Sequence, residues 1–184
     1  MLSSFANHEF VHQRSYALLN DTLGLPEEEF SAFADYEQMQ EKLEFMANID
    51  TSSYSGLAQA VARSAINEGM SLFSAFVMLI NYTRFGKMRG MGEIVQWSIR
   101  DETMHAEGMT KLFRAFCDEH PRIVNDEFKE QIYGMVREAV ALEDKVIDLA
   151  YEMGPIEGLT AEEVKEYIRY IADRRLIQLG LKGN

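Results

Sequence analysis

The chain has 184 residues and a mass of 21.1 kDa, with 47% hydrophobic and 26% charged residues. It can bury a core in one domain and lies far from disordered or collagen-like compositions. Eighteen Lys and Arg against thirty Asp and Glu give a net charge of -12, which repels a phosphate backbone and, with no basic stripe, excludes nucleic acid as the main partner. The longest apolar stretch, around Leu72 to Ile80, is about half the roughly 20 residues of a membrane span. Met1 is followed by no signal-like segment, so the expectation is a cytoplasmic protein with no membrane partner.

Prolines occur at 26, 121 and 155, each near a break in the apolar pattern, and long helices are predicted between them. Apolar residues recur at spacings of three and four from Phe5 to Leu23, with Gly24-Leu25-Pro26 as the stop. A second helix is expected from Glu27 to Asn48, with Phe30, Phe33, Met39, Leu43 and Met46 on its apolar side. Glu27, Glu28 and Glu29 in its first turn suit the helix dipole. The cap-rich Asp50-Thr51-Ser52-Ser53 leads into a third helix running from Tyr54 to Phe85. A glycine-rich turn, Gly86 to Gly92, precedes a fourth helix that ends near Glu119. Asn125 can cap a fifth that stops at Gly154-Pro155, and Thr160-Ala161-Glu162-Glu163 has the capping-box form that opens a sixth. Sustained period-two alternation and hairpin dipeptides are lacking, so the fold class is all-α, one helical domain over 1–184.

A bundle can build metal sites from residues that face its interior. Glu9 and His12 are three apart, as are Glu102 and His105, so each pair shares a helical face within reach of one ion. Glu68 lies in Ala65-Ile66-Asn67-Glu68-Gly69-Met70 among apolar and small residues, where an unpaired carboxylate costs several kcal/mol and calls for a proton, a partner or a cation. Glu68 and Glu102 are placed symmetrically about Phe85, so two antiparallel helices joined there bring them level. The same count leaves Glu9 roughly 10 Å out of level at 1.5 Å per residue. Carboxylates can bridge two metals while one imidazole on each adds a nitrogen ligand. The five residues therefore form a candidate dinuclear carboxylate site; the alternative is two solvated helix-surface carboxylates and two histidines satisfied by protein partners. Cys117 has no second cysteine for a disulfide and no zinc spacing around it, and reads as a partly buried thiol. Trp97 reads as core or interface packing and the methionines as core filling.

Over nearly its whole length the chain resembles the small, radical-generating subunit of class I ribonucleotide reductase. Glu9-Phe10-Val11-His12-Gln13-Arg14-Ser15-Tyr16 is similar to that family's first Glu-x-x-His segment with its radical tyrosine one turn later. Arg100-Asp101-Glu102-Thr103-Met104-His105 resembles the second segment, Glu68 sits where the intervening glutamate belongs, and Tyr170-Ile171-Ala172-Asp173-Arg174-Arg175-Leu176 is similar to the late helix. The resemblance implies a ferritin-like bundle and a dinuclear iron centre, with manganese or mixed iron-manganese as alternatives. It makes Glu9 and Glu102 the bridging carboxylates, His12 a ligand of one metal, and Glu68 and His105 ligands of the other. It makes Tyr16 the radical carrier and Asp101 a hydrogen-bond partner near His12 that takes part in radical transfer. Leu72 and Phe76 are expected to line the tyrosine pocket, for which Ser98 is unexpectedly polar.

The implied function is the small subunit of ribonucleoside-diphosphate reductase, an enzyme in which a large subunit receives the radical and reduces ribonucleotides, with the small subunit a homodimer. A ferritin-like dimetal oxidase or iron-binding protein would use the same ligands without radical transfer, and a metal-free helical scaffold would use none of them. Departures from the family pattern bear on mechanism. The usual sixth ligand, an acid about 30 residues before the first motif, would fall before Met1, as would an early tryptophan, and no docking tail follows Asn184. An N-terminal segment in cis or in trans is thus an expected partner. With three carboxylates against two divalent ions, the His105-side metal is expected to bind more tightly than the His12-side metal.

Overall fold

The computed structural model describes residues 1–183, apart from the side chains at 29, 30, 32 and 33. The described residues form seven α-helices: α1 Leu2–Leu23, α2 Glu37–Ala47, α3 Tyr54–Gly69, α4 Phe73–Asn81, α5 Arg89–Glu119, α6 Asp126–Glu152 and α7 Ala161–Gln178. Among them there is no strand, only an isolated bridge between Ile156 and Leu159, and no helix is long and apolar enough to cross a membrane. The expected all-helical bundle is what the chain forms.

Local signals set most boundaries. Gly24 takes the left-handed conformation at φ 70° and ends α1, with the amides of Gly24 and Leu25 returning to Asp21 and Asn20. Ser53, Asn125 and Thr160 accept from the amides of Gly56, Phe128 and Glu163, and Glu163 closes the predicted capping box.

Two predicted helices are interrupted. The second forms only from Glu37, because residues 27–30 and 32–35 run as 3-10 turns. Its buried face is Lys42 and Phe45, while Leu43 is exposed; Phe30 and Phe33 have side chains outside the described residues. The third is split at Met70–Leu72 into α3 and α4. At this break Arg175 Nε donates to the Gly69 carbonyl at 2.8 Å and Lys42 Nζ donates to that of Ser71.

The core is built around α3 and α5, with α6 and α7 packed together beside them and α2 laid on α6. Ala58, Ala62, Ala65 and Ile66 on α3 are buried at helical spacing. At Gly69 an added Cβ would lie 3.0 Å from Ala106 Cβ on α5, so a larger side chain there would push the two helices apart. The first helix packs chiefly on α5 and buries no residue completely. Its half-buried Phe5, His8, His12, Tyr16 and Leu19 share one face, and Phe10, Val11 and Leu18 are exposed on the other.

Candidate metal centre

Three helices supply the polar groups between α1, α3 and α5. Glu9 and His12 come from α1, Glu68 from the last turn of α3, and Glu102 and His105 from one face of α5. Glu9, Glu68, Glu102 and His105 each bring one donor atom to within 4.8 Å of the others. The predicted level difference for Glu9 is not found: its Oε1 lies 3.2 Å from His105 Nδ1. Counting 1.5 Å per residue through residues 25–36 fails because much of that segment is not α-helical.

The carboxylates divide their oxygens between the two imidazoles. Glu102 sets Oε1 3.0 Å from His12 Nδ1 and Oε2 3.2 Å from His105 Nδ1. Glu9 does the same, with Oε2 3.7 Å from His12 Nδ1 and Oε1 3.2 Å from His105 Nδ1. Glu68 lies 3.5 Å from His105 Nδ1. Both imidazoles turn Nδ1 to the carboxylates and Nε2 outward. His12 Nε2 is 3.3 Å from Asp101 Oδ2, and Arg100 Nε donates to Asp101 Oδ1 at 3.0 Å. His105 Nε2 is 3.0 Å from His8 Nδ1, with the two rings stacked at 5.3 Å.

The local field favours a cation. Glu102 is 1% exposed, and burial, a hydrogen bond with Glu68 and the charges of Glu68, Glu9 and Asp101 push its carboxyl up to about 10. It therefore holds a proton at neutral pH in the metal-free protein, and a bound dication would replace that proton. Burial works against the Asp101 anion, but the hydrogen bonds from Arg100 and His12 outweigh it and keep the acid below its ordinary range. Three carboxylates and two imidazole Nδ1 atoms, with two carboxylates divided between both imidazoles, fit a pair of oxygen-seeking metal ions.

Tyr16 stands one turn beyond His12, and its phenol donates to Ser98 Oγ at 3.0 Å. Both line a cavity of about 320 Å³ with Leu72, Ala75, Phe76 and Leu79, closed on one side by Glu9, His12 and Glu102. Leu72 and Phe76 thus stand beside Tyr16 as expected. Burial raises the phenol above its ordinary value, against the lowering effect of the Ser98 hydrogen bond. Trp97, read from sequence as core or interface packing, is 59% exposed in the single chain. Cys117 is half-buried, as expected. Sequence reasoning missed His8; its spacing of four from His12 was the available signal, since it puts both imidazoles on one face of α1.

Residues 1–183 match the family model described as ribonucleotide reductase, small chain. The chain is 39% identical to "Probable ribonucleoside-diphosphate reductase small subunit 048L" of Invertebrate iridescent virus 3, over 98% of this chain and 53% of that protein. It is 33% identical to the ribonucleoside-diphosphate reductase subunit beta of Chlamydia pneumoniae, over 96% of this chain and 55% of that one. Among solved structures, the ribonucleotide reductase R2 subunit from Clostridium botulinum superposes with a TM-score of 0.86 at 26% identity, covering 96% of this chain and 58% of that one. The chain spans about half the length of the curated relatives it matches.

Proposed function

This chain belongs to the ribonucleotide reductase small-chain family, and on that premise we propose that Glu9, His12, Glu68, Glu102 and His105 hold two metal ions beside a redox-active Tyr16. The observation that carries the proposal is the division of the Glu9 and Glu102 oxygens between His12 Nδ1 and His105 Nδ1. Glu9 and Glu102 would be shared between the two ions, His12 would hold one of them, and Glu68 and His105 the other. The metals are iron, with a manganese or mixed pair as the alternative. Two such ions, when bound, supply an oxygen-dependent one-electron oxidant.

The remaining work belongs to the protein. Asp101 accepts from His12 Nε2–H and fixes the tautomer that presents Nδ1, and Arg100 in turn fixes Asp101. Leu72, Phe76 and Leu79 give the cavity beside Tyr16 an apolar wall. The His12 side has fewer carboxylates around it than the His105 side and takes a further acid supplied in cis or in trans. The whole protein is the small subunit of a ribonucleoside-diphosphate reductase. It passes the oxidising equivalent to a large subunit, where ribonucleotide is reduced, and it works as a homodimer, a reading supported by the exposed Phe10, Val11 and Leu18 on α1.

Electron paramagnetic resonance after anaerobic iron loading and exposure to oxygen tests the reading. The expected result is a tyrosyl signal that Tyr16→Phe abolishes. Iron oxidation without a tyrosyl signal would support the oxidase alternative, and no specific metal binding would support the scaffold.

A further inference from the structure

Ser98 is 1% exposed on α5, one turn before Glu102. Its hydroxyl is engaged on both sides: it accepts from the Tyr16 phenol at 3.0 Å and donates to the Ile94 carbonyl at 3.1 Å. A helical serine commonly spends its hydroxyl on the carbonyl four residues back, and here the lone pair left over is aimed at the tyrosine. One wall of the cavity is Leu72, Ala75, Phe76 and Leu79, and Glu9, His12 and Glu102 stand on the other side; of the lining side chains, Ser98 is the one hydrogen-bonded to the phenol. An apolar residue at 98 would leave only the groups of the metal side to meet the phenol, whereas this chain places one small donor-acceptor group against the tyrosine oxygen.

We infer that Ser98 is a positioning residue for Tyr16, committing the phenol O–H to itself rather than to Glu102 and remaining hydrogen-bonded to the same oxygen once Tyr16 is oxidised. The second half rests on the proposed function. Oxidation removes one electron and the phenolic proton from Tyr16. The bound metal pair together with dioxygen would supply the oxidant that accepts this electron and this proton. The tyrosine oxygen is then an acceptor only. Ser98 meets it by rotating its O–H from Ile94 to Tyr16, which a hydroxyl does freely because it carries one donor and two lone pairs. Ile94 loses little, since an α-helix already gives its carbonyl the Ser98 amide. Donation to the radical oxygen stabilises the oxidised state, so a residue without a hydroxyl at 98 makes the radical harder to form and shorter-lived.

Ser98→Ala, Ser98→Thr and Tyr16→Phe test the assignment, and the cavity beside Ser98 has room for the extra methyl of threonine. In the metal-free protein, the phenol C–O stretch of Tyr16 is isolated by subtracting the infrared spectrum of Tyr16→Phe. It should have the frequency of a donating phenol in the unaltered protein and in Ser98→Thr, and shift to that of a free phenol in Ser98→Ala. In the iron-loaded, oxygen-treated protein in D₂O, electron-nuclear double resonance should find an exchangeable deuteron coupled to the Tyr16 radical, lost in Ser98→Ala and kept in Ser98→Thr. An unchanged C–O stretch in Ser98→Ala overturns the assignment. So does a Tyr16 radical in the unaltered protein with no deuteron coupling. If no protein forms a radical, the proposed function fails, and the infrared comparison still decides whether Ser98 holds the phenol.

Discussion

Replacing Glu102 with Gln isolates what burying this carboxyl among three other acids does to the metal-free protein. Burial, then Glu68, Glu9 and Asp101, raise the folded value to about 10 from the ordinary 4.5. Between those values the folded chain retains a proton that the unfolded chain has released. Stability therefore falls as pH rises, by at most about 1.4 kcal/mol per pH unit for one proton. From pH 6 to pH 8 the upper limit for one retained proton is about 3 kcal/mol, whether that proton sits on Glu102 or is shared with Glu68. Glutamine keeps the shape and stays neutral, so Glu102→Gln lacks this term. Urea unfolding of both proteins with chelator present, at pH 6, 7 and 8, should show the unaltered protein losing stability relative to the variant. Divalent metal reverses the order, because binding expels the proton and affinity climbs by up to about tenfold per pH unit. Parallel stability profiles for the two metal-free proteins would refute the reasoning.

Manganese titration with anomalous diffraction should fill the His105 side first, because Glu9, Glu68 and Glu102 all approach His105 Nδ1; His105→Ala should then remove the tighter equivalent and His12→Ala the weaker. Asp101→Leu leaves His12 Nε2 without its acceptor and should weaken metal binding by about 10- to 100-fold in calorimetry. Lys42→Met strands Glu143, which is 0% exposed and bonded to Lys42 Nζ at 2.6 Å. It should cost about 3–5 kcal/mol in denaturant unfolding, with the double change Lys42→Met, Glu143→Leu much less harmful. Gly69→Ala drives a methyl into the Arg175 side chain and should cost about 1–3 kcal/mol in the same assay.

Much of the fold was legible because its signals are local. Gly24, Ser53, Asn125 and Thr160 mark helix ends through their own backbone or side-chain chemistry, and each does so in the structure. Glu9 with His12 and Glu102 with His105 were legible for the same reason, since a spacing of three fixes a shared helical face. What was not legible depends on contacts between distant segments. The apolar pattern resumes on both sides of Met70–Leu72, and Gly69 and Ser71 are weak local signals beside it, so the break between α3 and α4 does not stand out. The acidic stretch at 27–29 suits a helix start, yet the α-helix waits until Glu37. His8 meets His105 across 97 positions, a pairing that only the packing of α1 on α5 creates.

The break after Glu68 also accounts for the most unusual residues of the core. Ending α3 at Gly69 and restarting at Phe73 frees carbonyls that a continuous helix would pair, and a buried unpaired carbonyl is costly. Arg175 from α7 takes that of Gly69, and Lys42 from α2 takes that of Ser71. A lysine brought so deep needs an anion, which Glu143 on α6 provides, and the second Glu143 oxygen accepts from Ser74 on α4 at 2.5 Å. Four helices thus commit charged or polar side chains to one irregular turn. Hydrophobic residues of similar size could stabilise a regular helix at least as well, so the charges are explained by the break rather than by stability in general. The break leaves Glu68 in the final turn of α3, one residue from the clamped Gly69 carbonyl and facing His105. The polar network on the far side of the turn is therefore part of what holds the third carboxylate at the centre.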